Sequence, residues 1–522
     1  MRTNLLLIAM LAVMAGTADA QIRDAAVTGG RVSGVVSSGT ASFKGIPFAA
    51  PPVGELRWKP PQPVVAWVGV KAAETFAPSC MQDTSFVKLF GAPEAISEDC
   101  LYLNVWTPAN SANERLPVMV WIYGGAFLAG MTSIPAYDGG PLAEKGVVLV
   151  SVSYRLGAFG FLAHPELSKE SGKGSGNYGL QDQIAGLRWV KENIAKFGGD
   201  PNRVTIFGES AGGISVSMLA ASPAAKGLFH RAISESGGNF GPARLTNEGG
   251  ATVPSLTVAE RTGQKFLGSL GASDIKSARA IPAAKIQGVQ GGFWPVFDGD
   301  VLPGDQYELY RAKHFNDTPI LIGTNSDEGI TFVPGTTQPA AFEEMIRTGY
   351  GAKADVILMA NPHATVAEST QSARNIFRDA TFAWHTWAWA RLQSKQGSGK
   401  AYVYYFDHRT PQSPGGAGHA AEIPYVFRTL GKFTGPAGLV GAPRPEDFAM
   451  SDLVSSYWVN FAKTGDPNGP GLPKWPVFTD SAQMVMYFDA KSSARPIPNT
   501  TQLKALDEYF AWRRQSAATA TK

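Results

Sequence analysis

Ser210 stands in a local pattern that could turn its hydroxyl group into a nucleophile. It is the central residue of the run GESAG at positions 208–212, directly after the apolar, strand-like stretch 204–207. A Gly-x-Ser-x-Gly run between a strand and a helix that begins with small residues is typical of a nucleophile elbow, a sharp turn that exposes the serine. Both glycines are needed because a Cβ at either position would collide with neighbouring backbone. This setting argues against the alternative, a Gly/Ser-rich loop without chemistry.

A serine that attacks esters also needs a base, a group that orients the base and donors for the oxyanion. In folds with this elbow the chain order is serine, acid, histidine. His419 is the candidate base, because the glycine-rich loop 414–418 before it could bring an imidazole to the edge of a sheet. The acid follows an earlier strand-like run and is Asp327 or Glu328. Adjacent side chains generally point in different directions, so we expect only one of these carboxylates to orient His419.

Continuous apolar runs indicate the elements that must hold these residues. Runs without alternation are typical of strands buried on both faces, as in a mostly parallel sheet. Helical periodicity covers 179–197, and 335–395 is rich in helical patterns. Strands that alternate with helices predict an α/β fold, here the α/β-hydrolase fold with a large, mostly parallel central sheet flanked by helices. The apolar runs are 115–123, 146–154, 204–207, 317–323 and 401–406.

Residues 1–20 have the features of a secretory signal peptide. A positive start, an apolar run at 5–15 and small residues up to Ala20 predict export and cleavage after Ala20. The apolar run is short for a bilayer span, and the cleavage signal argues against an uncleaved anchor. We therefore expect a mature chain of residues 21–522, in the periplasm or secreted, with no stable membrane anchor.

The overall composition disfavours several classes of function. Hydrophobic residues make up 44% of the 522-residue chain and charged residues 17%, which fits a large globular core. The net charge is only +3 and no basic run accompanies it. This charge pattern disfavours nucleic-acid or membrane-surface binding.

The cysteine content fits an oxidising compartment. Cys80 and Cys100 are the chain's only cysteines, and in an exported protein an even pair predicts a disulfide rather than two free thiols. The pair lacks the spacing of zinc ligands, and no clustered histidines accompany it.

Segments along nearly the whole mature chain carry a family resemblance. The chain resembles the type-B carboxylesterases, the family of bacterial para-nitrobenzyl esterases, animal carboxylesterases and cholinesterases. The resemblance implies one α/β-hydrolase domain over residues 21–522. The segments are FKGIPFAAPP at 43–52, EDCLYLN at 98–104, WIYGGAF at 121–127, GESAGG at 208–213, GTNSDEG at 323–329 and FAKTGDPN at 461–468.

The resemblance also implies roles for individual side chains. It points to Glu328, rather than Asp327, as the acid that orients His419, so that Ser210, His419 and Glu328 would form the triad. Such a serine hydrolase cleaves small-molecule carboxylic esters through an acyl-enzyme and needs no metal or organic cofactor. Other residues to which the resemblance gives a place are Glu209, which would line the site, Ser236, near the base, and Arg57 and Glu98, a structural ion pair near the disulfide.

Backbone N–H groups are the expected oxyanion donors. Ala211, directly after the nucleophile, supplies one by the elbow geometry. The family pattern implies two more, from Gly125 and Ala126 in the loop after the strand that ends at Tyr123. Many family members have HGGG where this chain has YGGA. Alanine keeps its N–H, so we expect the oxyanion hole to survive the change.

Few residues of the sequence indicate which esters the enzyme prefers. Cholinesterases bind the quaternary ammonium of choline with a tryptophan inside the disulfide loop, a cation–π contact. Between Cys80 and Cys100 this chain has only Phe86 and Phe90 as aromatic residues. The stretch VQGG at 289–292 is less bulky than its cholinesterase counterpart. We therefore expect a broad-range esterase for aryl or xenobiotic esters with medium to bulky acyl groups, the alternatives being a lipase-like long-chain esterase or a non-catalytic binding protein of the same fold.

Overall fold

The computed structural model describes most of the chain that follows the expected signal peptide. Residues 1–20 lie outside the described part, so the signal-peptide prediction stays a prediction. No helix within the described part is long and apolar enough to cross a membrane. The described residues are 21–88, 95–244, 253–289, 291–432 and 441–520, without the side chains of residues 86, 87 and 517–520.

The strands of the described residues form one large sheet and two small ones. In chain order the strands are β1 Asp24–Val27, β2 Gly30–Ser33, β3 Val35–Ser37, β4 Thr40–Pro47, β5 Val70–Ala72, β6 Ser79–Cys80, β7 Ile96–Ser97, β8 Tyr102–Thr107, β9 Leu116–Ile122, β10 Val148–Val152, β11 Gly199–Glu209, β12 Arg231–Glu235, β13 Ile320–Asn325, β14 Ala401–Phe406, β15 Met484–Phe488 and β16 Ser493–Pro496.

The large sheet has 11 strands in the order β16-β15-β14-β13-β12-β11-β9-β10-β8-β4-β3. Its middle, from β10 to β15, is parallel, whereas the pairs toward both edges are antiparallel. The carboxyl ends of parallel strands meet at one edge of a sheet, which is where sites form in open α/β sheets.

The predicted α/β-hydrolase fold is confirmed, and burial explains why its strands could be recognised. Every residue of β10 and of β13 is buried, so neither strand alternates between apolar and polar positions. The apolar run 401–406 coincides with β14, and 115–123 contains β9. Local hydrophobicity therefore marks the central strands well.

Helices flank the sheet, and the helix-rich stretch 335–395 corresponds to α12 to α15, the last of which ends one residue later. Helix α6 packs on β11 and β12, α15 on β13 and β14, and α17 on β9 and β11. The helices are α1 Thr84–Lys88, α2 Gly140–Ala143, α3 Gly157–Phe161, α4 Pro165–Ser171, α5 Tyr178–Asn193, α6 Ala211–Ala221, α7 Leu256–Ser269, α8 Ile275–Arg279, α9 Ala283–Gln287, α10 Gln306–Arg311, α11 Gly329–Phe332, α12 Pro339–Tyr350, α13 Ala354–Ala360, α14 Val366–Arg378, α15 Trp384–Gln396, α16 Ile423–Phe427, α17 Pro445–Thr464 and α18 Thr500–Ala520.

A disulfide and a buried ion pair fix the segment before β8. Cys80 and Cys100 are bonded to each other, as predicted, and both are buried. Two residues before Cys100, Glu98 holds Arg57 with its two carboxylate oxygens, each 2.6 Å from a guanidinium nitrogen. Arg57 also donates to the carbonyl of Ile281 at 2.7 Å, which ties this segment to a distant loop. These contacts join three separate segments of the chain, which fits the structural role that the family resemblance implies for the pair.

Candidate active site

The turn between β11 and α6 presents Ser210 at the carboxyl edge of the sheet. Ser210 has φ 55° and ψ −123°, a conformation that costs a non-glycine residue on the order of 1–3 kcal/mol. Its N–H donates to the carbonyl of Glu235, at the end of the neighbouring strand β12, at 2.9 Å. The helix begins at the next residue, Ala211, so the half-buried serine stands beside a helix N-terminus.

The two glycines of the GESAG run are required by the close approach of β9. A Cβ on Gly208 would lie 2.5 Å from the carbonyl oxygen of Ile122, the last residue of β9. A Cβ on Gly212 would overlap that same oxygen. The steric reason given for the motif from sequence therefore applies here, with Ile122 as the neighbour.

The loops that follow β13 and β14 bring a carboxylate and an imidazole together. His419 Nδ1 lies 2.6 Å from Glu328 Oε2, across 91 residues of chain. The other oxygen of Glu328, Oε1, accepts hydrogen bonds from Ser236 Oγ at 2.5 Å and from the backbone N–H of Asn325 at 2.7 Å. Glu328 is fully buried, so these hydrogen bonds hold its carboxylate in one orientation.

Asp327 is turned away from the imidazole that its neighbour contacts. Its backbone N–H donates to the carbonyl of Ala417 at 2.8 Å, which places Asp327 beside the loop of His419. Within the described residues its Oδ1 has no hydrogen-bond partner. Burial raises the pKa of Asp327, while Arg374 and Arg378 oppose this shift. Of the two acids that the residues alone left open, the geometry brings Glu328, the one implied by the family resemblance, to His419.

A second carboxylate lies on the opposite side of the imidazole. Glu209 Oε1 is 3.1 Å from His419 Nε2, although the two groups are not aligned for a hydrogen bond. Burial raises the pKa of Glu209, and the neighbouring Glu328 adds to this increase. Burial lowers the pKa of His419, but Glu209 and Glu328 more than offset it and hold that pKa above its ordinary value. Within the described residues Ser210 Oγ makes no hydrogen bond, so Nε2 and this hydroxyl are both available.

The loop after β9 carries backbone N–H groups next to the nucleophile. Gly124 is so close that a Cβ on it would lie 3.0 Å from the Cβ of Ser210. In the described structure the N–H groups of Gly125, Ala126 and Ala211 donate to no protein acceptor. Ala126 has φ 56°, a left-handed conformation that glycine adopts more easily, which fits the glycine of the HGGG pattern named by the family resemblance.

Sequence reasoning missed two side chains that connect the acid loop to the base loop. Asn325 Nδ2 donates to Glu422 Oε2 at 2.5 Å and to the carbonyl of Gly418 at 2.8 Å. Glu422 is buried, which raises the pKa of its carboxyl group, and Glu209 and Glu328 add to the effect. Asn325 lies within the segment at 323–329, and Glu422 lies three residues after His419. This proximity to residues already singled out is the signal that could have found them.

The segment before α10 contributes aromatic bulk beside the oxyanion loop. The Trp294 ring meets Phe127 edge-to-face at 4.8 Å, whereas Phe293 packs against Phe266 of α7. Gly292 is exposed, and among the described residues a Cβ on it would meet no atom within 4 Å. Of the two phenylalanines in the disulfide loop, the side chain of Phe86 and all of Phe90 lie outside the described part of the chain.

This fold and site define a serine hydrolase of the α/β-hydrolase class. Residues 19–506 match the carboxylesterase family, so the chain belongs to that family and is a carboxylic ester hydrolase. It is 36% identical to a fumonisin B1 esterase of Sphingopyxis macrogoltabida, over 88% of this chain and 85% of the relative. It is 36% identical to a para-nitrobenzyl esterase of Bacillus subtilis, over 91% and 97%. The solved structure of a thermophilic PNB esterase superposes with a TM-score of 0.81 at 33% identity, covering 93% of this chain and 100% of that one.

Proposed function

We propose that Ser210, His419 and Glu328 are the nucleophile, the base and the orienting acid of this esterase. The observation that carries the proposal is the 2.6 Å contact between His419 Nδ1 and the fully buried Glu328 at the sheet edge that also holds Ser210. A carboxylate that accepts the Nδ1 proton leaves the Nε2 lone pair free to act as a base.

The reaction would proceed in two half-reactions. Ser210 Oγ attacks the ester carbonyl carbon while its proton passes to His419 Nε2. The tetrahedral intermediate collapses as Nε2 returns this proton to the leaving alkoxide, which departs as the alcohol and leaves an acyl-enzyme. Water then attacks the acyl carbon with the same proton transfers, which releases the carboxylic acid and restores Ser210.

Backbone N–H groups would stabilise the negative charge that develops on the carbonyl oxygen. We assign this role to Gly125, Ala126 and Ala211, because their N–H groups are unengaged and adjoin the elbow. Each such donor contributes about 2.7–4 kcal/mol to transition-state stabilisation in comparable sites. Glu209, beside Nε2, would favour the cationic imidazole of the intermediates, and Ser236 would hold Glu328 in place.

The proposed substrates are aryl or xenobiotic esters with medium to bulky acyl groups. Trp294 offers an aromatic surface next to Phe127, in the loop that carries two of the proposed oxyanion donors. The similarity to a para-nitrobenzyl esterase favours the same class of ester. A lipase-like enzyme would instead gain activity as the acyl chain lengthens.

Hydrolysis of para-nitrophenyl acetate, butyrate and octanoate by the wild type and by Ser210→Ala tests the assignment. We expect a burst of para-nitrophenol equal to the enzyme concentration in the wild type, with the fastest turnover on the short or medium chains. Ser210→Ala should lose both the burst and turnover. Equal traces from the two proteins would refute Ser210 as the nucleophile, and fastest turnover on octanoate would favour the lipase-like alternative.

We also propose that the protein is exported to the periplasm or secreted, with residues 1–20 removed on the way. The proposal is supported by the small residues that end at Ala20 and by the disulfide, which is typical of oxidising compartments. Amino-terminal sequencing of the purified native protein should begin at Gln21. A chain that still begins at Met1 would contradict the proposal.

A further inference from the structure

Two phenylalanine rings enclose the imidazole of His419. The Phe382 ring lies nearly parallel to it, with centroids 4.8 Å apart and 17° between the planes. The Phe332 ring meets it more steeply, at 5.1 Å and 61°. Phe382 is 4% exposed, whereas Phe332 is 47% exposed. Phe382 is therefore the buried aromatic neighbour of the imidazole, whereas Phe332 is largely open to solvent.

Phe382 lies on an irregular turn inside a long helical stretch. Helix α14 ends at Arg378 and α15 begins at Trp384, and the five residues Asp379–Ala383 between them form a π-helical turn. Such turns are uncommon, cost hydrogen-bond geometry and occur frequently at functional sites. This turn changes the direction in which the side chains of the helix project, and it brings Phe382 over His419.

Buried polar contacts tie this turn to the loops of both candidate catalytic side chains. Arg378 pairs with Asp379 at 2.7 Å, and both residues are buried. Arg378 also donates to the carbonyl of Ser326 at 2.8 Å, two residues before Glu328. The hydroxyl of Ser326 accepts from the N–H of Ala417, two residues before His419, at 2.8 Å. The position of Phe382 is thus set relative to the imidazole and to its carboxylate at once.

We propose that Phe382 is a positioning residue for His419, and that the π-helical turn Asp379–Ala383 exists to supply its ring. The inference rests on the proposed role of His419 as the base. A parallel aromatic face limits rotation of the imidazole about its last side-chain bond. It also attracts the ring when the ring carries positive charge, since cations within about 6 Å of an aromatic face are stabilised.

The charged groups around His419 do not limit rotation of its ring in the way proposed for Phe382. The imidazole is faced by Glu328 from the loop after β13, by Glu209 from the end of β11 and by Glu422 from its own loop, all of them carboxyl groups. Glu328 holds Nδ1 through a hydrogen bond, and Glu209 lies 3.1 Å from Nε2. Both carboxylates approach ring nitrogens, so neither supplies an apolar surface against a face of the ring. The flat, buried ring of Phe382 can restrain the imidazole from one face without removing a proton from either nitrogen.

Replacement of the ring by apolar side chains tests the inference. Phe382→Leu and Phe382→Met keep an apolar side chain but remove the aromatic face, and Phe382→Tyr keeps it. We measure the pre-steady-state acylation and deacylation rates for para-nitrophenyl acetate and butyrate against pH. With the face removed, we expect deacylation to slow by roughly three- to tenfold and the acid limb of the profile to move down by about half a pH unit, because the imidazolium loses its stabilising partner. Phe382→Tyr should retain the wild-type limb.

Phe342→Leu is the matched control. Phe342 is fully buried and its ring packs on another histidine, His363, at 5.4 Å. We expect Phe342→Leu to lower the free energy of unfolding about as much as Phe382→Leu does, without a shift of the acid limb. If Phe382→Leu does not fold, Phe382→Met carries the comparison.

Two outcomes would overturn the inference. One is an unchanged acid limb in both Phe382→Leu and Phe382→Met. The other is an effect that grows from acetate to butyrate, which would make Phe382 a wall of the acyl pocket only. His419→Gln separates this failure from failure of the proposed function. If that variant still hydrolyses esters, His419 is not the base, whereas an inactive His419→Gln beside a wild-type profile for Phe382→Leu would refute the positioning role alone.

Discussion

At the scale of single residues, the charge state of His419 depends on the carboxylates beside it, and Glu209 is the first of the groups that raise its pKa. Its carboxyl group lies 3.1 Å from the nitrogen that must be unprotonated for His419 to act as a base. A nearby carboxylate favours the cationic imidazole and raises its pKa. The acid limb of kcat/KM should therefore lie above the ordinary histidine pKa of about 6.5, with activity rising as pH increases through it.

Glu209→Gln should move this acid limb to lower pH by about one unit, because the neutral amide no longer stabilises the protonated imidazole. The measurement is kcat/KM for para-nitrophenyl butyrate between pH 5 and pH 10. Glu308→Gln, on the surface, is the control and should leave the limb in place. An unchanged limb in Glu209→Gln would mean that Glu209 does not set the protonation of His419.

The adjacent acids Asp327 and Glu328 allow a comparison within one turn of the chain. Glu328→Gln should lower kcat by roughly 10²–10⁴, since the amide can no longer hold the imidazole with its proton on Nδ1. Asp327→Asn should lower kcat by less than about tenfold, because the polar partners of the imidazole among the described residues are Glu328 and Glu209, not Asp327. Steady-state kinetics of both variants, with circular dichroism to check folding, decide the assignment. Comparable losses in the two variants would contradict it.

At the scale of elements, the elbow depends on how closely β9 approaches α6. Gly212→Ala would force a Cβ into the carbonyl of Ile122, so we expect the free energy of unfolding to fall by about 3 kcal/mol or more. Gly268→Ala, near the end of α7, is the matched change, because its Cβ would meet nothing within 4 Å. It should be neutral or stabilise by up to about 1 kcal/mol. Denaturant unfolding of both proteins measures the difference, and equal stabilities would show that the elbow can relax.

The central strands could be predicted because burial on both faces leaves a local trace. The run 401–406 matches β14, and the stretch 179–197 matches α5 with the short 3₁₀ turn that follows it. The π-helical turn Asp379–Ala383 left no such trace. Its residues read as part of an ordinary helix. The contact that ties the turn to the rest of the fold, from Arg378 to the carbonyl of Ser326, joins residues 52 apart in the chain, which no local pattern carries.

At the scale of the whole molecule, the disulfide closes a loop of separation 20 in front of β8. In the chain-entropy account a loop of this length contributes about 3 kcal/mol of stability by restricting the unfolded chain. The double variant Cys80→Ser, Cys100→Ser should lose about this much, measured by denaturant unfolding. A reducing agent should lower the stability of the wild type and leave the double variant unaffected. Sensitivity of the double variant to the reducing agent would contradict this explanation.

By itself the sequence determined the fold class, the elbow around Ser210 and the loop of His419. These features have local causes: hydrophobic runs follow burial, and paired glycines follow the backbone strain of a tight turn. The residues alone left Asp327 and Glu328 open, and the family resemblance favoured Glu328. Only the tertiary structure shows that Glu328 contacts His419, that Glu209 lies on the far side of the imidazole and that Phe382 stacks on its face. Such contacts join residues far apart in the chain, so they depend on the register of strands and the direction of side chains, which a local pattern does not carry.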